Sequence, residues 1–432
     1  MSIDHYDYIV IGSGRAGLSF TEQVTILGKK VCLVEAAYTG GSCLNIGCIP
    51  KKILYHLGMI INDNGLYADI GMIERREKIV EWNKLMQKKG QCLQQFRENY
   101  MMELKEKGVV LVKGTAVFEG KKTVRVDDKV YSADGIVICT GGKANILEAV
   151  GAEKLMTSNN FYNMTNLPQV MTIIGGGYIG IELLTILCMF GVTVNFVFRK
   201  EVPLSGFDRD VSDFVLHILV QHRKVIPFPN KNVERIESNP ETGKKICYFI
   251  GGGSVESDDV LYATGWMPCV DHLKLKDFTD VKFGSNGQVL VDENFETAEK
   301  GIYAIGDCIQ SVMLAPVATR EGRVLAEKVC GNMSPTMDYN NIPSIIFSNP
   351  PYAYCGLTET EARDLHKDDI KVYKQIFKPP LFSYLGDDCE QAMIKIVMDK
   401  NDKIIGVHII GRGADELIQG LAILIKINGT LQ

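Results

Sequence analysis

The chain has no basic excess: 47 Lys and Arg stand against 52 Asp and Glu, a formal net charge of −5 over 432 residues. Nucleic acid and anionic membrane, which are bound by neutralising phosphates, are therefore not expected as partners. A secretory leader is not expected either. Met1 to Asp7 carries Asp4 and Asp7 and runs straight into an apolar strand, without the basic and apolar segments of such leaders, so a cytoplasmic location is expected. There is no uninterrupted apolar span either. The longest apolar tract, Val170 to Phe198, is broken by Gly175-Gly176-Gly177 and Glu182 and reads as strand, helix, strand. No cysteines stand at CxxC zinc spacing, and no metal is expected. No low-complexity linker is visible.

At this length and 46% hydrophobic residues the chain can bury a large core and divide into two to four domains. Of its twelve cysteines, Cys32, Cys139, Cys188 and Cys247 sit in apolar strand or helix patterns and are expected to be core residues. Cys43 and Cys48 differ. They lie in Gly40-Gly41-Ser42-Cys43-Leu44-Asn45-Ile46-Gly47-Cys48-Ile49-Pro50-Lys51-Lys52, where four intervening residues allow the Cα approach of a disulfide. Pro50 and the two lysines suit a helix start, whose amide dipoles and positive charge lower a thiol pKa.

That segment follows a complete βαβ unit: an apolar strand Tyr8 to Ile11, then Gly12-Ser13-Gly14-Arg15-Ala16-Gly17, a helical stretch, and a strand Val31 to Val34 ending at Glu35. Three glycines alone say little. With strand, helix and second strand on time, they let the backbone approach a pyrophosphate at the helix N-terminus, and Glu35 is placed to accept ribose hydroxyls. A second copy runs from Met171-Thr172-Ile173-Ile174 through Gly175-Gly176-Gly177-Tyr178-Ile179-Gly180 to a strand Thr193 to Phe198. There the next residues are Arg199 and Lys200, and a guanidinium suits the 2′-phosphate of NADP. Two dinucleotide sites beside two thiols suggest redox chemistry. A long polar helix is expected from about Glu74 to Lys107, strands around Val109 to Val112 and Thr123 to Val126, and a glycine turn after Ile138. An α+β domain should begin near Asp338.

These residues resemble the pyridine nucleotide-disulfide oxidoreductases, FAD enzymes that pass electrons from a nicotinamide to a redox-active cysteine pair. The likeness runs from Tyr8 to about Gly429. Within the family, Asp338 to Pro343, Phe347 to Pro351, Gly356 to Glu359 and the Lys51-Lys52 pair are most similar to glutathione reductases. The resemblance implies an α/β fold of two Rossmann-like domains and a C-terminal dimerisation domain. FAD would be bound by 1–150 and a return segment 281–337, NADPH by 151–280, and 338–432 would form a homodimer interface. Gly12, Gly14, Gly17, Glu35, Gly41, Ser42, Thr140, Gly141 and Asp307 would hold FAD. Gly175, Gly177, Gly180, Arg199 and Lys200 would hold NADPH, with Tyr178 covering the flavin when nicotinamide is absent. Cys48 would face the flavin, Cys43 would attack the substrate disulfide, and Glu182 would pair with Lys51 or Lys52. Tyr100 and Arg323 match substrate positions.

The sequence departs from the family in places. No histidine precedes a proline, whereas the family's acid–base group is a His-Pro with a following Glu near the C-terminus; the last domain is expected to be incomplete, and His408 to be structural. Glu22 and Gln23 stand where glutathione reductases carry an arginine pair. Trp266 and Ser205 replace arginines, the latter one that helps bind the 2′-phosphate. The expected activity is reduction of glutathione disulfide by NADPH. The alternatives are another disulfide (a cationic glutathione conjugate, a thioredoxin type or dihydrolipoamide) or an impaired flavoprotein serving in interaction or regulation.

Overall fold

The computed structural model describes residues 4–74, 80–146, 148–151, 155–221, 224–331, 333, 335–385 and 390–431. The chain forms two compact units. The first comprises Met1–Lys52, Asn83–Asn145 and Trp266–Tyr339, and the second Ile53–Trp82, Ile146–Gly265 and Asn340–Gln432.

The first unit is built on a sheet of Val110–Lys113, Val31–Glu35, Asp4–Ile11 and Lys129–Ile138, all parallel, with Ile302–Ala304 also parallel to Lys129–Ile138. Thr123–Val126 and Ala116–Gly120 extend it antiparallel. The unbroken apolar run Ile9 to Ile11 follows from burial on both faces, as parallel sheets require. Helix Arg15–Ile26 packs on helix Ala315–Cys330. The approach is close enough that a Cβ on Gly322 would lie 2.5 Å from the Ala16 carbonyl oxygen, so only glycine fits there.

The second unit holds a parallel sheet ordered Val225–Phe228, Thr193–Val197, Val170–Ile174, Asp259–Tyr262 and Met156–Thr157. It also holds the expected α+β region. Ser344–Ile346, Tyr352–Gly356, Ile404–Ile410, Ala392–Asp399 and Ile370–Phe377 form an antiparallel sheet. Helix Ala414–Lys426 lays Ala414, Ile418, Ala422 and Ile425 on its apolar face, at helical spacing. Lys395 is almost wholly buried and answers three carboxylates, Asp208 at 2.8 Å, Asp210 at 2.6 Å and Glu359 at 2.8 Å.

The polar helix expected from about Glu74 to Lys107 is found as Trp82–Glu106, and a separate helix precedes it. Cys48–Asp69 ends before Gly71, whose φ of +72° leaves the helical region, and Trp82–Glu106 follows; residues 75–79 of the expected stretch lie outside the described residues. Cys32, Cys139, Cys188 and Cys247 are buried, and burial pushes the thiols of Cys32, Cys188 and Cys247 up to about 12. They are inert core residues. His408 is fully buried in its strand, bonded to the Tyr352 hydroxyl at 3.0 Å and the Leu357 carbonyl at 3.1 Å. Burial lowers its pKa and keeps it neutral.

Candidate redox site and nucleotide cradles

Each glycine motif divides its labour in the same way. A Cβ on Gly12 would sit 2.4 Å from the Cys139 carbonyl oxygen, and one on Gly175 2.2 Å from that of Ala263. Both residues have positive φ, +104° and +124°, so the first glycine makes the tight turn against the neighbouring strand. A Cβ on Gly17 would lie 2.0 Å from the Gly12 oxygen, and one on Gly180 2.2 Å from the Gly175 oxygen, which brings helix onto strand. At the middle positions, Gly14 and Gly177, an added Cβ meets no heavy atom within 4 Å. These two precede the N-termini of helices Arg15–Ile26 and Tyr178–Met189, and the open space beside them suits a phosphate facing free amides.

Around the first cradle the remaining groups fit a bound dinucleotide. The hydroxyl of Thr140, beside Gly12, is buried with no hydrogen-bond partner among the described residues. Gly141 follows it with φ of +65°. Asp307 lies in the turn three residues beyond the strand Ile302–Ala304, and burial raises its carboxyl pKa. The Glu35 carboxylate is fixed by the Ser13 N–H at 2.8 Å, the Ser13 hydroxyl at 2.6 Å and the Ala37 N–H at 2.6 Å.

The second cradle differs at one point that strand register exposes. Ile11 pairs with Val34 and Ile174 with Val197, so the counterpart of Glu35 is Phe198, and Arg199 is one residue further on. Phe198 is buried with its Cβ against Gly176, whereas Arg199 and Lys200 are exposed. Tyr178, the first residue of its helix, is 41% exposed.

The two candidate redox cysteines are held directly on the first cradle. Gly41, with φ of +60°, approaches Gly14 so closely that a Cβ on Gly41 would lie 2.6 Å from its Cα. Ser42 is exposed, and its carbonyl accepts the Ile46 N–H at 2.9 Å. Cys43 lies in the short helix Gly41–Asn45, and Cys48 opens the helix Cys48–Asp69. The two are not joined as a disulfide, and their thiols hydrogen-bond to each other. That bond, then burial, raises the Cys43 pKa, while the charges of Arg15 and Lys52 pull it down. The amides at the start of the Cys48 helix favour a thiolate there. Asn45 locks the turn between the cysteines, donating to the carbonyls of Gly41 at 2.8 Å and Thr39 at 3.1 Å and accepting from Arg97 at 3.0 Å. Sequence reading missed Asn45, although a buried amide between two glycine turns is its signal. Lys51 is in the first turns of the same helix as Cys48. Glu182 belongs to the second unit, where its buried carboxylate accepts the Phe347 N–H at 3.0 Å.

A cavity of about 370 Å³ in the first unit is lined by Arg15, Ala315, Pro316, Thr319, Arg320 and Arg323. Tyr100 joins it through Arg15, whose guanidinium donates to the Tyr100 hydroxyl at 3.1 Å and the Thr319 hydroxyl at 3.3 Å. Of the two expected substrate residues, Arg323 lines this cavity, while Tyr100 reaches it only through its hydrogen bond to Arg15. Arg15 and Arg320 were not anticipated, because the segments that bring them together are far apart in sequence. Glu22 pairs with Lys107 at 3.8 Å.

Two glycine-cradled dinucleotide folds in one chain, with a close thiol pair packed on the first cradle, define an oxidoreductase that works with flavin and nicotinamide nucleotide. The chain belongs to the pyridine nucleotide-disulphide oxidoreductase family: the family's model matches residues 6–322, and that of its dimerisation domain matches 342–432. A glutathione reductase from Nostoc sp. is 33% identical over 98% of this chain and 94% of its own. One from Yarrowia lipolytica is 28% identical over 99% and 95% respectively. Among the described residues no helix is long and apolar enough to cross a membrane.

Proposed function

We propose that the chain is an FAD-dependent reductase that passes electrons from NADPH, through Cys43 and Cys48, to a low-molecular-weight disulfide, with glutathione disulfide as the substrate. The observation that carries this reading is the Cys43–Cys48 thiol pair seated on the Gly14 cradle by Gly41. Bound FAD supplies the two-electron carrier between the nicotinamide and the cysteines. Gly14, Glu35, Thr140 and Asp307 would hold it, and Gly177, Arg199 and Lys200 would hold NADPH. With Phe198 buried in place of an acidic ribose reader and Arg199 free to face solvent, the second cradle suits a 2′-phosphate better than a bare hydroxyl.

The chain's own residues then divide the thiol chemistry. In the reduced pair the proton stays on Cys43 and the negative charge on Cys48, at the helix N-terminus. Loss of the Cys43 proton, eased by Arg15 and Lys52, lets its sulfur attack one sulfur of the incoming disulfide, forming a mixed disulfide and expelling one thiolate. Cys48 then attacks the Cys43 sulfur, closing the internal disulfide and releasing the second thiolate. A homodimer is supported by the dimerisation-domain match and by Leu417 and Ile423, apolar residues exposed on helix Ala414–Lys426.

Differential alkylation tests the pair. Blocking thiols of the FAD-loaded chain before and after anaerobic NADPH should label Cys43 and Cys48 only after reduction. Equal labelling in both states would remove them from the electron path.

A further inference from the structure

We propose that Glu321 is a positioning residue for the flavin nucleotide: its buried carboxylate clamps the turn that carries Asp307, so that Asp307 is held in one orientation for FAD. The inference rests on the proposed use of FAD and adds to it a residue that lies outside both glycine motifs and the cysteine segment.

Glu321 lies on helix Ala315–Cys330 and is 0% exposed. A carboxylate taken out of water is costly unless donors answer it, and here each oxygen has one. One oxygen accepts the Gly306 N–H at 2.6 Å and the other the Tyr339 hydroxyl at 2.8 Å. The Ser311 side chain adds a further hydrogen bond. Burial pushes the Glu321 carboxyl up, and these donors pull it back. Gly306 has φ of +77°, which glycine adopts without strain, and its carbonyl accepts the Ile309 N–H at 3.0 Å to close the turn. The turn has little room to move. A Cβ on Gly306 would lie 3.1 Å from that of Ala16, in the helix that begins at the Gly14 cradle. Asp307 follows Gly306 directly. No hydrogen bond holds its carboxylate among the described residues, so its direction is inherited from the backbone that Glu321 grips. Tyr339 fixes the second oxygen of Glu321 and keeps the carboxylate from rotating off the Gly306 N–H. Bonds to an ionised acceptor are about twice as strong as those to a neutral one, so the grip depends on the charge as well as the shape of Glu321.

The test is the rate at which the FAD-loaded full chain releases its flavin on dilution, followed in stopped flow by the fluorescence of free FAD. Glu321→Gln, which keeps the shape and loses the charge, should release FAD about tenfold faster than wild type. Asp307→Ala should also speed release. If Glu321 acts through Asp307, the double variant should release FAD within about twofold of the Asp307→Ala rate, because the oriented carboxylate is already gone. A general packing defect would instead add to the loss of Asp307. A double variant about tenfold faster than Asp307→Ala, or a wild-type rate in Glu321→Gln, would therefore overturn the inference. Should Glu321→Gln fail to fold, Tyr339→Phe decides: it removes one donor from the clamp and should speed release about threefold, an effect that vanishes beside Asp307→Ala. An unchanged rate in Tyr339→Phe, or an effect that persists beside Asp307→Ala, would overturn the inference there. A wild-type chain that takes up no FAD overturns the cofactor reading and the inference with it. That result is distinct from failure of the inference alone, in which wild type and both clamp variants hold FAD equally well.

Discussion

The two middle glycines offer the sharpest separation of binding from folding. Gly177 has φ of −82° and ψ of 178°, a backbone any residue adopts, and a Cβ there touches nothing within 4 Å. Gly177→Ala should therefore change stability by no more than about 0.5 kcal/mol, the small cost at a helix cap being offset by reduced freedom of the unfolded chain. The added methyl does fill the space where a phosphate would meet the helix amides. Losing one charge-assisted bond costs about 1.5–3 kcal/mol, so the NADPH concentration for half-maximal flavin reduction should rise about 10- to 100-fold. Gly180→Ala is the opposite case. Its Cβ would lie 2.2 Å from the Gly175 carbonyl oxygen, backbone that cannot step aside, and overpacking of this kind costs about 1–3 kcal/mol or more. The assay is anaerobic bleaching of flavin absorbance against NADPH concentration, beside thermal unfolding of each variant. If Gly177→Ala reduces its flavin as readily as wild type, the second cradle does not hold the nicotinamide nucleotide.

Three further outcomes follow from particular contacts. Arg199→Glu should shift preference from NADPH toward NADH by about tenfold or more, read as the ratio of kcat/KM for the two coenzymes, since Phe198 leaves no acidic reader to compete; an unchanged ratio would remove Arg199 from the site. Stoichiometric NADPH should raise a long-wavelength absorbance band from a Cys48 thiolate against the flavin, and Cys48→Ser should abolish it while Cys43→Ser keeps it. Lys395→Met should destabilise the second unit by about 3–5 kcal/mol at neutral pH, because Asp208 is left buried without its cation. Burial alone would raise the Asp208 pKa, but the Glu359 N–H and Lys395 outweigh it and hold it low. Its contribution is therefore present above the ordinary carboxylate range and lost as pH falls through its depressed value. Melting temperatures of variant and wild type should converge on acidification; a gap that stays constant with pH would contradict the ion-pair origin.

Much of this was legible in the sequence because the information is local. Strand, glycine turn, helix and strand follow one another within each cradle, so the roles of Gly12 and Gly175 could be read before any contact was known. The cysteine segment was legible for the same reason. What the sequence hid depends on register or on distant segments. Arg199 was read as the direct counterpart of Glu35, but pairing of Ile174 with Val197 puts Phe198 there. The arginine cavity joins the first turn of one helix to another hundreds of residues later, and no periodicity announces such a meeting.

The central claim is that the Cys43–Cys48 pair carries electrons from NADPH to glutathione disulfide. Its most direct test is anaerobic turnover of the FAD-loaded chain with both compounds, counting NADPH consumed against thiol formed. The account predicts sustained oxidation with about two thiols released per NADPH and none from Cys43→Ser. Flavin reduction that stops after one equivalent, with no thiol released, would contradict it.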